Sequence, residues 1–162
     1  MFEDIKNKKV LITGASGGIG SCMAKLFASH GSVVGLHYNN NKKEAIKLLN
    51  EIRKEGGKAE AFKADLLDVK NCKNMVRSFI KKFNGIDILV NNAGAVFEYK
   101  HFSELDEESW DNTFKLNVKA PYYISGEAFT HMKDHGGGKI INISSATVKY
   151  GCSPRSMHYS AA

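Results

Sequence analysis

The chain has 162 residues, 43% of them hydrophobic and 25% charged, which is enough to bury one core and make one domain over residues 1–162. Its 23 Lys and Arg against 17 Asp and Glu give a formal charge of +6, but the lysines are scattered in pairs (Lys8-Lys9, Lys42-Lys43, Lys81-Lys82) without the clustering that nucleic acid requires. No apolar run approaches a membrane span of roughly 18 residues, Met1 to Lys6 is no signal peptide, and Cys22, Cys72 and Cys152 are too few and too far apart for a disulfide framework or a metal knuckle, so the expectation is a cytoplasmic protein with reduced thiols, no metal and no membrane or nucleic-acid partner.

In chain order, short apolar runs alternate with longer segments of helical period. Residues 9–13 (Lys-Val-Leu-Ile-Thr) read as a buried strand, and residues 19–29 as a helix with Cys22, Met23, Leu26 and Phe27 on its apolar side. Cys22 and Cys72 are expected as small buried groups on helices. Residues 32–37 make a second strand, and Ala45, Leu48, Leu49 and Ile52 recur at helical spacing in the segment that follows. A third strand covers 59–64. Val69, Cys72, Met75, Val76, Phe79, Ile80 and Phe83 then mark a helix ending near Asn84-Gly85. Residues 86–90 are a fourth strand, 110 to about 132 are largely helical, and 139–143 are a fifth strand after the Gly136-Gly137-Gly138 turn. A loop and the beginning of a helix close the sequence.

Continuous apolar strands alternating with helices predict a parallel sheet covered on both faces, an α/β doubly wound (Rossmann) fold in a single domain. Directly after the first strand stands Thr13-Gly14-Ala15-Ser16-Gly17-Gly18-Ile19-Gly20. A strand that turns sharply into a helix while letting a pyrophosphate reach the helix N-terminus needs glycines, because side chains would block the approach. In this context the turn predicts dinucleotide binding.

The glycine spacing Gly-x-x-x-Gly-x-Gly resembles that of the short-chain dehydrogenase/reductase family. So do Asp65 after the third strand, Asn91-Asn92-Ala93-Gly94 after the fourth, Asn117 within the long helix, Ile143-Ser144-Ser145 at the end of the fifth, and Tyr159 beyond it, all in family order. The resemblance implies that Gly14, Gly18 and Gly20 shape the pyrophosphate turn with Ser16 and Ile19 beside them. It implies further that Asp65 and Leu66 line the adenine pocket, that Asn91 braces the sheet, and that Ala93 and Gly94 pass close to the cofactor. Read from the residues alone, Asp65 is a helix cap and Asn91-Asn92 a turn.

In this fold an acid at the end of the second strand bonds the ribose of NAD. Here Tyr38 and Asn39 occupy that place and no acid occurs until Glu44, which favours NADP with NAD as the alternative; Gly17, where NADP-preferring relatives often carry a basic residue, points the other way.

The family's chemistry is hydride transfer between the nicotinamide and a small carbonyl or alcohol substrate. By resemblance Tyr159 is the general acid in reduction, Ser145 holds the substrate oxygen, and Asn117 holds a water of the proton relay; Ser144 competes for the hydroxyl role and Tyr150 is a weak rival to Tyr159. Tyr159 lies fourteen positions after Ser145, one more than is usual. A free tyrosine titrates near pH 10, and the family lowers it with a lysine four residues later, so the sequence is expected to be incomplete at the C-terminus, lacking that lysine, the last strands and the substrate-closing segment. Among branches of the family, 3-oxoacyl-[acyl-carrier-protein] reductases and glucose or sugar-alcohol dehydrogenases look most similar. A non-catalytic dinucleotide sensor or scaffold is the alternative, and a sugar-nucleotide epimerase a third. Relatives form homodimers or homotetramers, for which Tyr122, Tyr123, Ile124 and Phe129 are candidate contacts.

Overall fold

The computed structural model describes residues 3–162. Met1 and Phe2, which open the stretch read above as no signal peptide, lie outside the described residues. After a 3-10 turn at Glu3–Ile5, the chain runs β1 (Lys9–Ile12), α1 (Gly18–Ser29), β2 (Val33–Tyr38), α2 (Lys42–Lys54), β3 (Lys58–Lys63), α3 (Val69–Phe83) and β4 (Ile88–Asn91). Then come α4 (Glu107–Phe114), a π-helical turn (Lys115–Lys119), α5 (Ala120–Asp134), β5 (Lys139–Asn142), and two short helices, α6 (Thr147–Tyr150) and α7 (Met157–Ala161).

The five strands form one sheet in the order β3-β2-β1-β4-β5, and every pairing is parallel. Parallel neighbours require crossovers, and the helices that supply them cover both faces. On one face Ala24 and Ala28 of α1 and Leu48, Leu49 and Ile52 of α2 pack on Val10, Ile12, Val34 and Leu36. On the other, Cys72, Met75, Val76 and Phe79 of α3 meet Ile124, Ala128 and Met132 of α5 across Leu11 and Leu89. Val10, Leu11 and Ile12 are wholly buried, and each contributes about 1.5–3 kcal/mol by leaving water. β1 is therefore the centre of the molecule, flanked by strands on both sides.

Two features of α1 differ from the periodic reading. Cys22 is exposed rather than buried, and Leu26 is 54% exposed. The stripe that meets the sheet is Gly20, Ala24 and Ala28, one position off the large apolar residues, because a helix pressed this closely against strands needs small side chains at the contact. Met23 and Phe27 flank that stripe, partly buried. Cys72 is buried as expected.

α3 begins where Asp68 accepts from the N–H groups of Lys70 (2.6 Å) and Asn71 (3.3 Å), and ends at Asn84 in the left-handed conformation (φ 55°), with Gly85 N–H donating to Ile80 O. The helix cap is thus Asp68 and not Asp65. β5 pairs only with β4 among the described residues, and Ile141 within it and Ile143 just past it are exposed.

Candidate active site

The carboxyl ends of β1, β2 and β4 converge on the glycine turn. Thr13 leaves the sheet with its Oγ1 accepting from Asn92 N–H (2.9 Å) and Ala93 N–H (3.0 Å) and donating to Val90 O (3.4 Å). Asn92 Nδ2 donates back to Thr13 O (2.9 Å) and Gly14 O (3.3 Å). Gly14 has φ +65°, a conformation glycine adopts without strain. A Cβ on Gly20 would sit 2.5 Å from Gly14 O and 2.7 Å from Asn92 Nδ2, so only glycine lets the first turn of α1 lie against the loop. Above Gly18, by contrast, an added Cβ would meet nothing within 4 Å. The helix therefore presents its unpaired N–H groups and positive dipole end to open space, with Ser16 and the 65%-exposed Ile19 at the rim.

A shelf continues along β2 and β3. Tyr38 is buried and Asn39 exposed. Asp65 is exposed, its Oδ1 accepting from Leu67 N–H at 3.0 Å, and Leu66 is buried beneath it. Leu66 O also accepts from the Cys72 thiol (3.4 Å), which burial pushes up to about 11, with Asp68 and Asp65 adding to the shift. α2 opens with exposed Lys42 and Lys43 just past Asn39, Asn40 and Asn41.

On the other side of the glycine turn, between β4, α5 and the segment after β5, lies an open cleft of ≈ 1490 Å³. Ile19, Asn91, Ala93, Gly94, Asn117, Ser144, Ser145 and Tyr159 line it. Gly14, Ser16, Gly18, Gly20, Tyr38, Asn39, Asp65 and Leu66 do not; they belong to the turn and shelf. Asn91 lies in β4 rather than in a turn, and its Nδ2 donates to Ser125 Oγ (2.9 Å) on α5 and to Asn142 Oδ1 (2.8 Å) on β5.

Asn117 sits in the π turn that joins α4 to α5. Its Nδ2 donates to Ala95 O and Thr113 O (both 2.8 Å), and its Oδ1 accepts from Ala95 N–H (3.2 Å). The side chain thus clamps the loop beyond Gly94 to the helix, and the widened turn is of a kind frequent at functional sites. Ser145 Oγ accepts from Thr147 N–H (3.3 Å). Tyr159 rides on α7, which is held by buried His158 donating from Nε2 to Phe97 O (2.8 Å) and by Phe102 N–H bonding to Pro154 O. Tyr150 is 78% exposed and does not line the cleft. The long interval between Ser145 and Tyr159 is taken up by α6 and by Gly151 at φ +77°.

Thr13 and His37 enter this site without having been singled out in the sequence. Each acts through a bond to a residue far along the chain, and no local spacing reports such a bond. Thr13 reaches across 79 and 80 positions to Asn92 and Ala93. His37 accepts the Gly14 N–H. Among the described residues no group of three or more His, Cys, Asp or Glu could hold a metal ion, and no helix is long and apolar enough to cross a membrane.

A 3-2-1-4-5 parallel sheet with a glycine turn at the end of β1 defines a Rossmann-type α/β protein. The chain belongs to the short chain dehydrogenase family, whose model matches residues 8–162. It is 35% identical over 156 residues to the short chain dehydrogenase mdpC of Emericella nidulans, covering 96% of this chain and 58% of that protein. The crystal structure of NADH-dependent reductase A1-R′ complexed with NAD superposes with a TM-score of 0.92 at 31% identity, over 99% of this chain and 69% of that one. A short chain dehydrogenase from Burkholderia cenocepacia J2315, in complex with NADP, superposes at 0.89 and 31% identity, over 97% and 63%. The chain spans a little over half the length of the curated relatives it matches.

Proposed function

We propose that this protein is an NADP(H)-dependent carbonyl reductase or alcohol dehydrogenase acting on small molecules, with residues 1–162 as its dinucleotide-binding domain. The observation that carries the reading is the convergence of Asn117, Ser145 and Tyr159 on one cleft beside the glycine turn. A sensor or scaffold has no need of all three groups there. The residues fit a dinucleotide on physical grounds: the close contact enforced at Gly20, the open space over Gly18 and the N-terminus of α1 form a cradle for a pyrophosphate. Asp65 and Leu66 would take the adenine end, and Ala93 and Gly94 would lie along the nicotinamide half.

When bound, the nicotinamide supplies or accepts the hydride. The protein's part is to manage the substrate oxygen. Ser145 Oγ, already accepting from Thr147 N–H, has its hydroxyl proton free to donate to that oxygen and hold it. Tyr159 Oη donates the proton that the oxygen gains in reduction and takes it back in oxidation. The side chain of Asn117 is committed to Ala95 and Thr113, so Asn117 would hold a water of the relay through its main-chain carbonyl, to which Pro121, four residues on, has no N–H to donate. Tyr159→Phe should lower kcat/KM for carbonyl reduction by about 10²–10⁴. Undiminished turnover by this variant, measured as NADPH oxidation over a panel of ketones and aldehydes, overturns the mechanism.

NADP over NAD rests on Asn39 to Asn41 and the exposed Lys42 and Lys43, which offer a 2′-phosphate no opposing carboxylate at the end of β2. Calorimetric titration should give tighter binding of NADPH than of NADH; the reverse order sinks this preference. A 3-oxoacyl thioester of an acyl carrier protein remains the substrate class we would test first. The assembly we propose is a homodimer or homotetramer through α5, where Tyr122 and Phe129, which also border the cleft, are 73% and 58% exposed, whereas Ile124 is a core residue. Sedimentation as a monomer at micromolar concentration would exclude it. The three free thiols suit a cytoplasmic protein.

A further inference from the structure

The side chain of His37 is not part of the reading above, yet it joins the three strand ends that carry the turn and shelf. It sits near the end of β2, 3% exposed. Its Nδ1 accepts the backbone N–H of Gly14 at 2.9 Å, and its Nε2 lies 3.1 Å from Ala64 O, one residue before Asp65. An N–H pointing at Nδ1 requires that nitrogen to be bare, so the proton is on Nε2 and is donated to Ala64 O. His37 O also accepts from Ala15 N–H at 2.9 Å. Through side chain and main chain together, one residue holds two successive amides of the glycine turn and the start of the shelf.

We propose that His37 is a positioning residue for the dinucleotide site: as the neutral Nε2–H tautomer it fixes the Gly14 amide, and with it the conformation of the turn on which the pyrophosphate rests. This builds on the dinucleotide reading of that turn. A doubly protonated ring would set a donor against the Gly14 N–H and release the turn. The surroundings resist that state. The glycine turn carries no titratable side chain, the cation of β1, Lys9, stands at the far end of that strand with its ammonium on Asn84 O, and α3 contributes the Cys72 thiol, held protonated by burial. Asp65, after β3, is the acid that acts on the ring, and together with the Ala64 carbonyl it only partly offsets burial, which keeps the imidazole below its ordinary pKa. The unfolded chain therefore takes up the proton first, near pH 6.5, and the folded state loses stability as pH falls below that value.

The test compares wild-type protein with H37N, whose Oδ1 can accept from Gly14 without titrating, and with H37L, which fills the space without an acceptor. Calorimetric titration with NADPH and with NADH at pH 7.5 should show H37N binding within about threefold of wild type and H37L weaker by roughly tenfold or more, the loss expected of an amide left without its partner. Denaturant unfolding between pH 7.5 and 5 should show the unfolding constant of wild type rising relative to H37N by up to about tenfold per pH unit below 6.5. In ¹⁵N-histidine spectra of the folded protein Nδ1 should appear unprotonated. Equal binding by wild type and H37L, a parallel pH dependence of stability in wild type and H37N, or a protonated Nδ1 each overturns the inference, while binding by wild type keeps the dinucleotide reading intact. Wild-type protein that binds neither nucleotide overturns both.

Discussion

Thr13 shows how much one hydroxyl can hold. Its Oγ1 satisfies the N–H groups of Asn92 and Ala93 and bonds to Val90 O, so the isosteric Thr13→Val strands two amides at the strand end. We expect a loss of about 1–3 kcal/mol, read as a lower urea midpoint at unchanged slope; an unmoved midpoint would show that water replaces the hydroxyl. The cysteines make a second prediction at this scale. Cys22 is exposed, whereas Cys72 is buried and its thiol is pushed up to about 11. At pH 8 an alkylating reagent should modify Cys22 in the native protein and Cys72 only after denaturation, and early labelling of Cys72 would contradict its burial. The burial of Cys72 was legible from the strong periodicity of α3. The exposure of Cys22 is not legible in the same way, because α1 meets the sheet through Gly20, Ala24 and Ala28, and small residues carry little weight in an apolar pattern.

Among the elements, α3 was the most legible. Its apolar positions run from Val69 to Phe83 with an end expected near Asn84-Gly85, and the helix observed is Val69–Phe83, with Asp68 and Asn84 as caps. Asp68→Ala should cost about 1 kcal/mol through loss of the bonds to Lys70 and Asn71, seen as a lowered thermal midpoint. An equal effect from Asp65→Ala would misplace the cap. The π turn at Lys115–Lys119 was not legible, since no residue type announces an i→i+5 turn and the run from Trp110 onward reads as ordinary helix. Within it Asn117 bonds across to Ala95, a partner 22 positions earlier. The same limit applies to His37 and Thr13. Residue identity was visible, and the long-range partner that gives each its task was not.

For the whole molecule, strand number, parallel direction and the helical cover on both faces followed from alternation alone, because buried parallel strands are apolar throughout and must be joined by crossovers. Position within the sheet sets a gradient of protection. β1 has strands on both sides and no exposure over Val10 to Ile12, whereas β5 is paired on one side among the described residues and its Ile141 is 40% exposed. Amide hydrogen exchange should be slowest in β1 and its neighbours β2 and β4, and markedly faster in β5; equal protection of β5 would mean that another chain or segment covers it.

The bonds that tie Thr13 and Gly14 to Asn92 and His37 also have a consequence for how the chain folds. Residues 13 to 20 are synthesised early, but the turn they make is held by Asn92 and Ala93, just past β4 and almost eighty positions later. A unit of β1 and α1 alone lacks these partners. The turn in its observed form therefore requires β1, β2 and β4 to stand together, contacts that are distant in sequence. If the proposed dinucleotide rests on this turn, it would favour chains in which those strands stand together, and its binding would double as a report on whether the central sheet has been built.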